Sequence, residues 1–167
     1  YRSVSGATTG LNLGLRPSRS KHYEVGIKLA PMAGARINAA LFRVITRDEL
    51  AVQQNAGGRS VFQNVGSTRR HGFELSYAQQ WANAWSTTLA YSYLDAVYAT
   101  EFLSCNATPC TVPAFRIPGG TRMPGIPLSS LHAEIAWKPA PEGMSAALEV
   151  RNAGKVYVDD ANSDAAD

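Results

Sequence analysis

The chain has 167 residues, 45% of them apolar and 17% charged, with a net charge of +3 at neutral pH. That length suffices for one domain with a core, but no apolar run approaches the roughly 18 residues of a membrane-spanning helix. The scattered basic residues leave no nucleic-acid footprint, so helical membrane proteins and nucleic-acid binders are excluded, whereas a membrane β-barrel, whose apolar face is diluted one to one by a polar lumen face, is not.

In chain order, residues 1–17 are rich in Gly, Ser and Thr and read as a loop ending in Leu15-Arg16-Pro17. Residues 1–14 lack the apolar centre of a signal peptide, so the leader of an exported protein is expected to lie outside this sequence. A first strand over 18–30 sets Tyr23, Val25, Ile27 and Leu29 against Ser20, His22, Glu24, Gly26 and Lys28, which is a strand period. After a tight turn at 31–34, a second strand over 35–52 sets Ile37, Ala39, Leu41 and Ile45 against Arg36, Asn38, Ala40, Phe42 and Val44. Arg43 interrupts its apolar face, which points to a bulge there or to the end of the apolar zone.

Asn55-Ala56-Gly57-Gly58 reverses the chain. A third strand over 59–78 carries Phe73, Leu75 and Tyr77 on one face, and after a short polar link a fourth over 85–98 carries Trp85, Thr87, Leu89, Tyr91 and Tyr93. The longest irregular segment, about 100–126, follows. It holds Cys105 and Cys110, whose C-x4-C spacing in a Pro-rich loop suits a local disulfide, with a pair of free or metal-binding thiols as the other reading. A fifth strand over 128–138 and a sixth over 144–157 are joined by a turn at 139–143. The histidines His22, His71 and His132 lie too far apart in sequence to complete a zinc pattern, so no metal site is expected.

The links near 31–34, 79–84 and 139–143 are short, while those near 49–59 and 100–126 are long. Short turns on one side and long loops on the other, joining strands of ten or more residues, are the pattern of an outer-membrane barrel. Trp81, Trp85 and Trp137 fall beside the short turns, as an interfacial aromatic girdle requires. The competing architecture is a soluble β-sandwich binding module, which also alternates but needs neither such long strands nor loops sorted by side.

Several segments resemble those of TonB-dependent outer-membrane receptors of the siderophore-receptor type. Leu15-Arg16-Pro17-Ser18-Arg19-Ser20 with Tyr23-Glu24-Val25-Gly26-Ile27-Lys28 is similar to that family's L-x-P-E-x-S-x-x-Y-E-x-G-x-K strand entry, with Ser18 in place of the usual Glu. Ala39-Ala40-Leu41-Phe42-Arg43, Gln63-Asn64-Val65-Gly66 with Gly72-Phe73-Glu74-Leu75, Tyr91-Ser92-Tyr93-Leu94-Asp95-Ala96 and Met123-Pro124-Gly125-Ile126-Pro127 resemble later segments of the family, in the same order. The resemblance implies an all-β fold, a segment of a 22-stranded antiparallel transmembrane β-barrel in the bacterial outer membrane. It implies six strands from the C-terminal third of that barrel, with the N-terminal plug and the closing strands absent from this chain, which is then part of a longer polypeptide. It implies uptake of a ferric siderophore, or of a copper complex, haem or vitamin, driven by TonB acting through the absent plug region, with no resident cofactor.

For ligand contact the expected residues are Arg69 and Arg70 of the basic Arg69-Arg70-His71 cluster and, on the long loop or its rims, Tyr98, Phe102, Phe115, Arg116 and Arg122, because aromatic rings and guanidinium groups suit a flat anionic chelate. Each has a plainer reading as barrel wall or loop packing. Glu74, Glu134, Glu149, Arg36 and Arg151 are expected on the lumen face as wall ion pairs. No nucleophile-elbow motif appears, and a Ser92, His132 and Asp95 set is assembled only on paper, so no enzyme is expected.

Overall fold

The computed structural model describes residues 2–5, 8–11, 14–56, 59–106, 110 and 112–166. Its strands are β1 (Arg2–Ser5), β2 (Thr8–Leu11), β3 (Arg19–Leu29), β4 (Ala35–Ala56), β5 (Arg59–Gln80), β6 (Trp85–Tyr98), β7 (Phe102–Ser104), β8 (Phe115–Ile117), β9 (Ser129–Trp137), β10 (Ala146–Ala153), β11 (Val156–Tyr157) and β12 (Ala165–Ala166). Six of them form one antiparallel sheet in the order β10-β9-β6-β5-β4-β3.

Residues directly opposite one another in such a sheet share a face, and the register lines the apolar residues up in rows. Val25, Leu41, Phe73 and Tyr93 make one row; Ile27, Ala39, Leu75, Tyr91 and Leu131 make the next; Leu29, Ile37, Tyr77, Leu89, Ala133 and Val150 make a third. The Phe73 ring lies 5.5 Å from that of Tyr91 and 6.0 Å from that of Tyr93. A sandwich would close a second sheet over this face. Instead it stays open, with Val25 68%, Leu41 61% and Leu148 67% exposed. A sheet with so much apolar area uncovered requires an apolar medium against it.

The opposite face carries Glu24, Lys28, Arg36, Glu74, His132, Glu134 and Arg151 in the alternate register. A furrow of about 550 Å³ runs along it, lined from Glu24 on β3 to His132 on β9. Gly72 belongs to this face. A Cβ there would meet the Tyr93 carbonyl oxygen at 2.0 Å and Phe42 Cζ at 3.0 Å, so only glycine lets β5 lie this close to the Tyr93 backbone.

At the short-link end, Gly34 takes a φ of 76°, and a 3-10 turn over Ala82–Ala84 joins β5 to β6. Trp85 stands opposite Trp137, and Trp81 Nε1 donates to Thr87 Oγ1 at 2.9 Å, which anchors Trp81 at that end. At the other end β4 and β5, each of 22 residues, run far beyond the apolar rows, since about 10 residues suffice to cross a bilayer. There lies the small closed core of Val65, Tyr98 and Ile117, with Ala51, Phe102, Met123 and Ala161 packed against it.

Several expected boundaries move. Part of the stretch read as an opening loop pairs as β1 with β2, and the irregular segment after β6 contains the β7–β8 hairpin. The sixth strand ends at Ala153, because Val156 and Tyr157 leave to pair with Ala166 and Ala165. Arg43 keeps unbroken register between Tyr23 and His71, so the apolar face ends there without a bulge. The register shift falls instead between Val52 and Gln54.

Candidate functional site

At the long-loop end, alternation sends Ser20, Thr46, Thr68 and Tyr98 to the polar face in one row. The Ser20 and Thr46 hydroxyls lie 2.8 Å apart. Asp48 has a left-handed φ of 53°, a conformation that Asp tolerates better than most residues. The following residue, Glu49, accepts from Thr68 Oγ1 at 2.8 Å and from Arg70 Nη1 at 3.0 Å. The guanidinium of Arg70 is thereby neutralised within the wall.

Tyr98 closes the row. Its ring meets that of Phe102 edge-on at 4.7 Å, and its hydroxyl donates to Asp160 Oδ1 at 2.7 Å. Asp160 lies in the loop between β11 and β12, which Asn162 ties down: the Arg122 N–H donates to Asn162 Oδ1 at 2.6 Å, and Asn162 Nδ2 donates to the Arg122 carbonyl at 2.8 Å. Above this floor opens a cleft of about 730 Å³, with Gln53, Ser104, Phe115, Met123, Asp159 and Ser163 among its walls. Cys105, joined to Cys110 by a disulfide with Cα atoms 6.0 Å apart, lines it.

The two carboxyl groups of the cleft differ. Burial raises the Asp160 pKa, with the Tyr98 hydrogen bond acting against it and the nearby Asp159 charge adding to it. Asp159 is held below the ordinary carboxylate range, first by the Ser163 hydroxyl and then by backbone N–H groups of the loop. The cleft therefore offers aromatic and thioether surface, one firmly ionised carboxylate and one that retains its proton longer. That combination suits a neutral or cationic ligand with apolar faces.

Of the residues expected to meet a ligand, the structure brings together Tyr98, Phe102 and Phe115. Arg70 lies below them in its ion pair. Arg69 and His71, its neighbours in sequence, point to the apolar side of the sheet, in register with Lys21, Ile45 and Val97 for Arg69 and with Tyr23, Arg43 and Asp95 for His71. Arg122 bridges to Val97 on that same side and pairs with Asp95 at 3.0 Å. Arg116 is exposed on the β7–β8 hairpin and pairs with Glu101. Asp159, Asp160, Asn162 and Ser163 escaped the sequence reading, although a run of Asp, Asn and Ser after β10 is a turn signal.

Ser92 and His132 lie on the polar face and Asp95 on the apolar one, where it meets Arg122 and His71, so these three do not form a relay. His132, Glu134 and Glu149 do converge, their ligand atoms within 4.8 Å of one another. His132 Nε2 and Glu149 Oε1 share a hydrogen bond of 3.0 Å, and Arg151 pairs with the same carboxylate. The cluster is thus an ion-paired wall patch.

Comparison with known proteins places these features in context. The family described as "TonB dependent receptor-like, beta-barrel" matches residues 1–167. A protein of Acinetobacter baumannii described as a probable TonB-dependent siderophore receptor, PiuA, is 28% identical over 148 residues, which are 88% of this chain and 19% of that protein. The chain spans about a fifth of that relative's length.

Proposed function

Because the chain belongs to the TonB-dependent receptor β-barrel family, we propose that it forms part of the wall of a bacterial outer-membrane barrel that takes up a ferric siderophore with energy delivered through TonB. The apolar rows face lipid, the polar face with its furrow lines the lumen, and the long-loop end faces outward from the cell. TonB acts through a plug that belongs to the rest of the receptor. The cleft at Tyr98 is one wall of the vestibule in which the ligand is first held.

The observation that carries this reading is the sorting of side chains by register: uncovered apolar rows on one face, charged and small residues on the other, and a ligand-sized cleft at the long-loop end. The siderophore-receptor relative supports a ferric chelate as cargo. The acidic, aromatic character of the cleft favours a chelate without net negative charge, such as a neutral hydroxamate complex, over an anionic catecholate.

The test is uptake of radiolabelled iron by cells whose full-length receptor is the only route for the chelate supplied. Uptake of a neutral ferric chelate that collapses with the proton-motive force, and that falls with Phe115→Ala, is the expected result. Uptake confined to haem, a copper complex or a vitamin would overturn the siderophore reading while leaving the receptor reading standing.

A further inference from the structure

β9 and β10 bring three ligating side chains to one point on the polar face. His132 and Glu134 are two residues apart on β9 and so share that face, and Glu149 on β10 stands directly opposite Glu134. Their imidazole nitrogen and carboxylate oxygens lie within 4.8 Å of one another. The pair His132 Nε2 and Glu149 Oε1 is already at 3.0 Å, close to the roughly 3.3 Å edge of a tetrahedron whose centre lies about 2.0 Å from each ligand atom. Glutamate side chains have the rotamer freedom to bring the third ligand in.

The ion pairing of this patch is incomplete. Glu134 and Glu149 face each other as like charges, which is unfavourable in a strand pair. Arg151 pairs with Glu149, but its side chain is 76% exposed, so water screens the bond and weakens its hold. Among the described residues Glu134 has no cationic side chain within salt-bridge distance, although it is half-buried. On the β6 side Glu134 faces Thr88 and His132 faces Ala90. Arg36 shares the row of Glu134 through Ala78 and Thr88, but three strand spacings, about 14 Å, separate them. Two carboxylates and one imidazole thus share a single exposed guanidinium.

We propose that His132, Glu134 and Glu149 bind a divalent transition-metal cation, with zinc as the best fit. An imidazole with two carboxylates is a mixed nitrogen and oxygen donor set, unlike the all-oxygen sites of calcium and magnesium. The cation takes the place of the proton between His132 and Glu149, displaces Arg151 and removes the repulsion between the facing carboxylates. His132 forms the β9 end of the polar furrow, so water completes the coordination from the open side. The site requires only the pairing of β9 with β10 and is independent of the cargo.

The experiment uses the full-length receptor, purified in detergent and freed of metal with a chelator. Zn2+ is titrated against it, and Co2+ in a parallel sample, where visible absorption reports the ligand set. His132→Gln and Glu134→Gln are each expected to weaken one Zn2+ site by at least about tenfold, since loss of even an outer partner of a metal ligand costs that much. Arg151→Gln should tighten the same site severalfold, because a positive charge beside the ion is removed. Mg2+ in about hundredfold excess should leave the Co2+ spectrum unaltered.

Identical titrations for the unsubstituted receptor, His132→Gln and Glu134→Gln would overturn the proposal, as would displacement of Co2+ by Mg2+. Should both variants fail to fold, the unsubstituted receptor still decides. Carbethoxylation of His132, followed by mass spectrometry of its peptide, is expected to slow when Zn2+ is added, and equal rates with and without Zn2+ refute the site. Such a failure leaves the receptor reading standing, because that reading is decided by the uptake assay.

Discussion

The Tyr98 hydroxyl donates to Asp160 Oδ1 across 2.7 Å, and so joins the end of a wall strand to a loop 62 residues later. Because the pKa of Asp160 is raised in the folded loop, the folded form binds more protons than the open one at pH values above the ordinary 3.8. The contribution is fully present below that value and is lost as pH rises through the raised pKa. The depressed pKa of Asp159 acts with the opposite sign, but its contribution is lost only as pH falls below the ordinary range. Above it, Asp160 sets the trend. Closure of the loop over 158–164 is therefore expected to weaken as pH rises from about 4 toward neutrality. Hydrogen exchange in the full receptor, corrected for intrinsic rates, reads this directly, and Asp160→Asn should flatten the dependence. An unaltered slope in that variant would refute the assignment.

Asn162 engages both backbone polar groups of Arg122 and sits at a φ of 58°. Substitution by Gly keeps the backbone conformation and loses the two hydrogen bonds, whereas substitution by Ala loses both. Asn162→Ala should destabilise the closed loop by about 1–3 kcal/mol, and Asn162→Gly by less. Protease cleavage rates within 158–164 would rank the variants, and equal rates for Ala and wild type would contradict the clamp.

Gly72 is required by the backbone of its neighbour, because the nearest atom to an added Cβ is the Tyr93 carbonyl oxygen. Gly72→Ala should cost about 1–3 kcal/mol through displacement of β5 from β6 and lower the fraction of receptor that migrates as a compact barrel without boiling. Adding Phe42→Ala should not restore it, since the ring is the more distant of the two obstacles. Rescue by the second substitution would show that the ring was the true constraint.

Leu75 stands in the middle apolar row between Ala39 and Tyr91. Leu75→Arg should cost about 2–4 kcal/mol of insertion free energy near the bilayer midplane, measured by refolding the full receptor into vesicles across a urea series. Ala90→Arg, on the polar face, is the control and should be tolerated. Equal penalties at the two positions would contradict the assignment of faces.

The main strands were legible because their signal is local: Val25, Ile27 and Leu29 against Glu24, Gly26 and Lys28 already state two faces. The basic cluster shows how the same rule is misapplied. Arg69, Arg70 and His71 are adjacent in sequence, but a period of two sends the outer pair to one face and Arg70 to the other. Three neighbouring charges in a strand never form one patch. The acidic side of the cleft was not legible, since Asp159 and Asp160 lie on a loop without periodicity and owe their place to Tyr98 and Arg122, far off in sequence. Composition also concealed the β1–β2 pairing, because backbone hydrogen bonds ask little of Gly, Ser and Thr side chains.

The rows of the sheet act as a reading frame with a word length of two. One residue inserted into β5 before Gly72 would carry Phe73, Leu75 and Tyr77 into the water-filled side and drive Glu74 into hydrocarbon if the pairing beyond it held, or break the pairing if the faces held. Two inserted residues would restore the faces and merely slide one strand along another. Over the descent of such a chain, strands should therefore gain and lose residues in even numbers, while odd changes collect in the long loops, where the frame is not read.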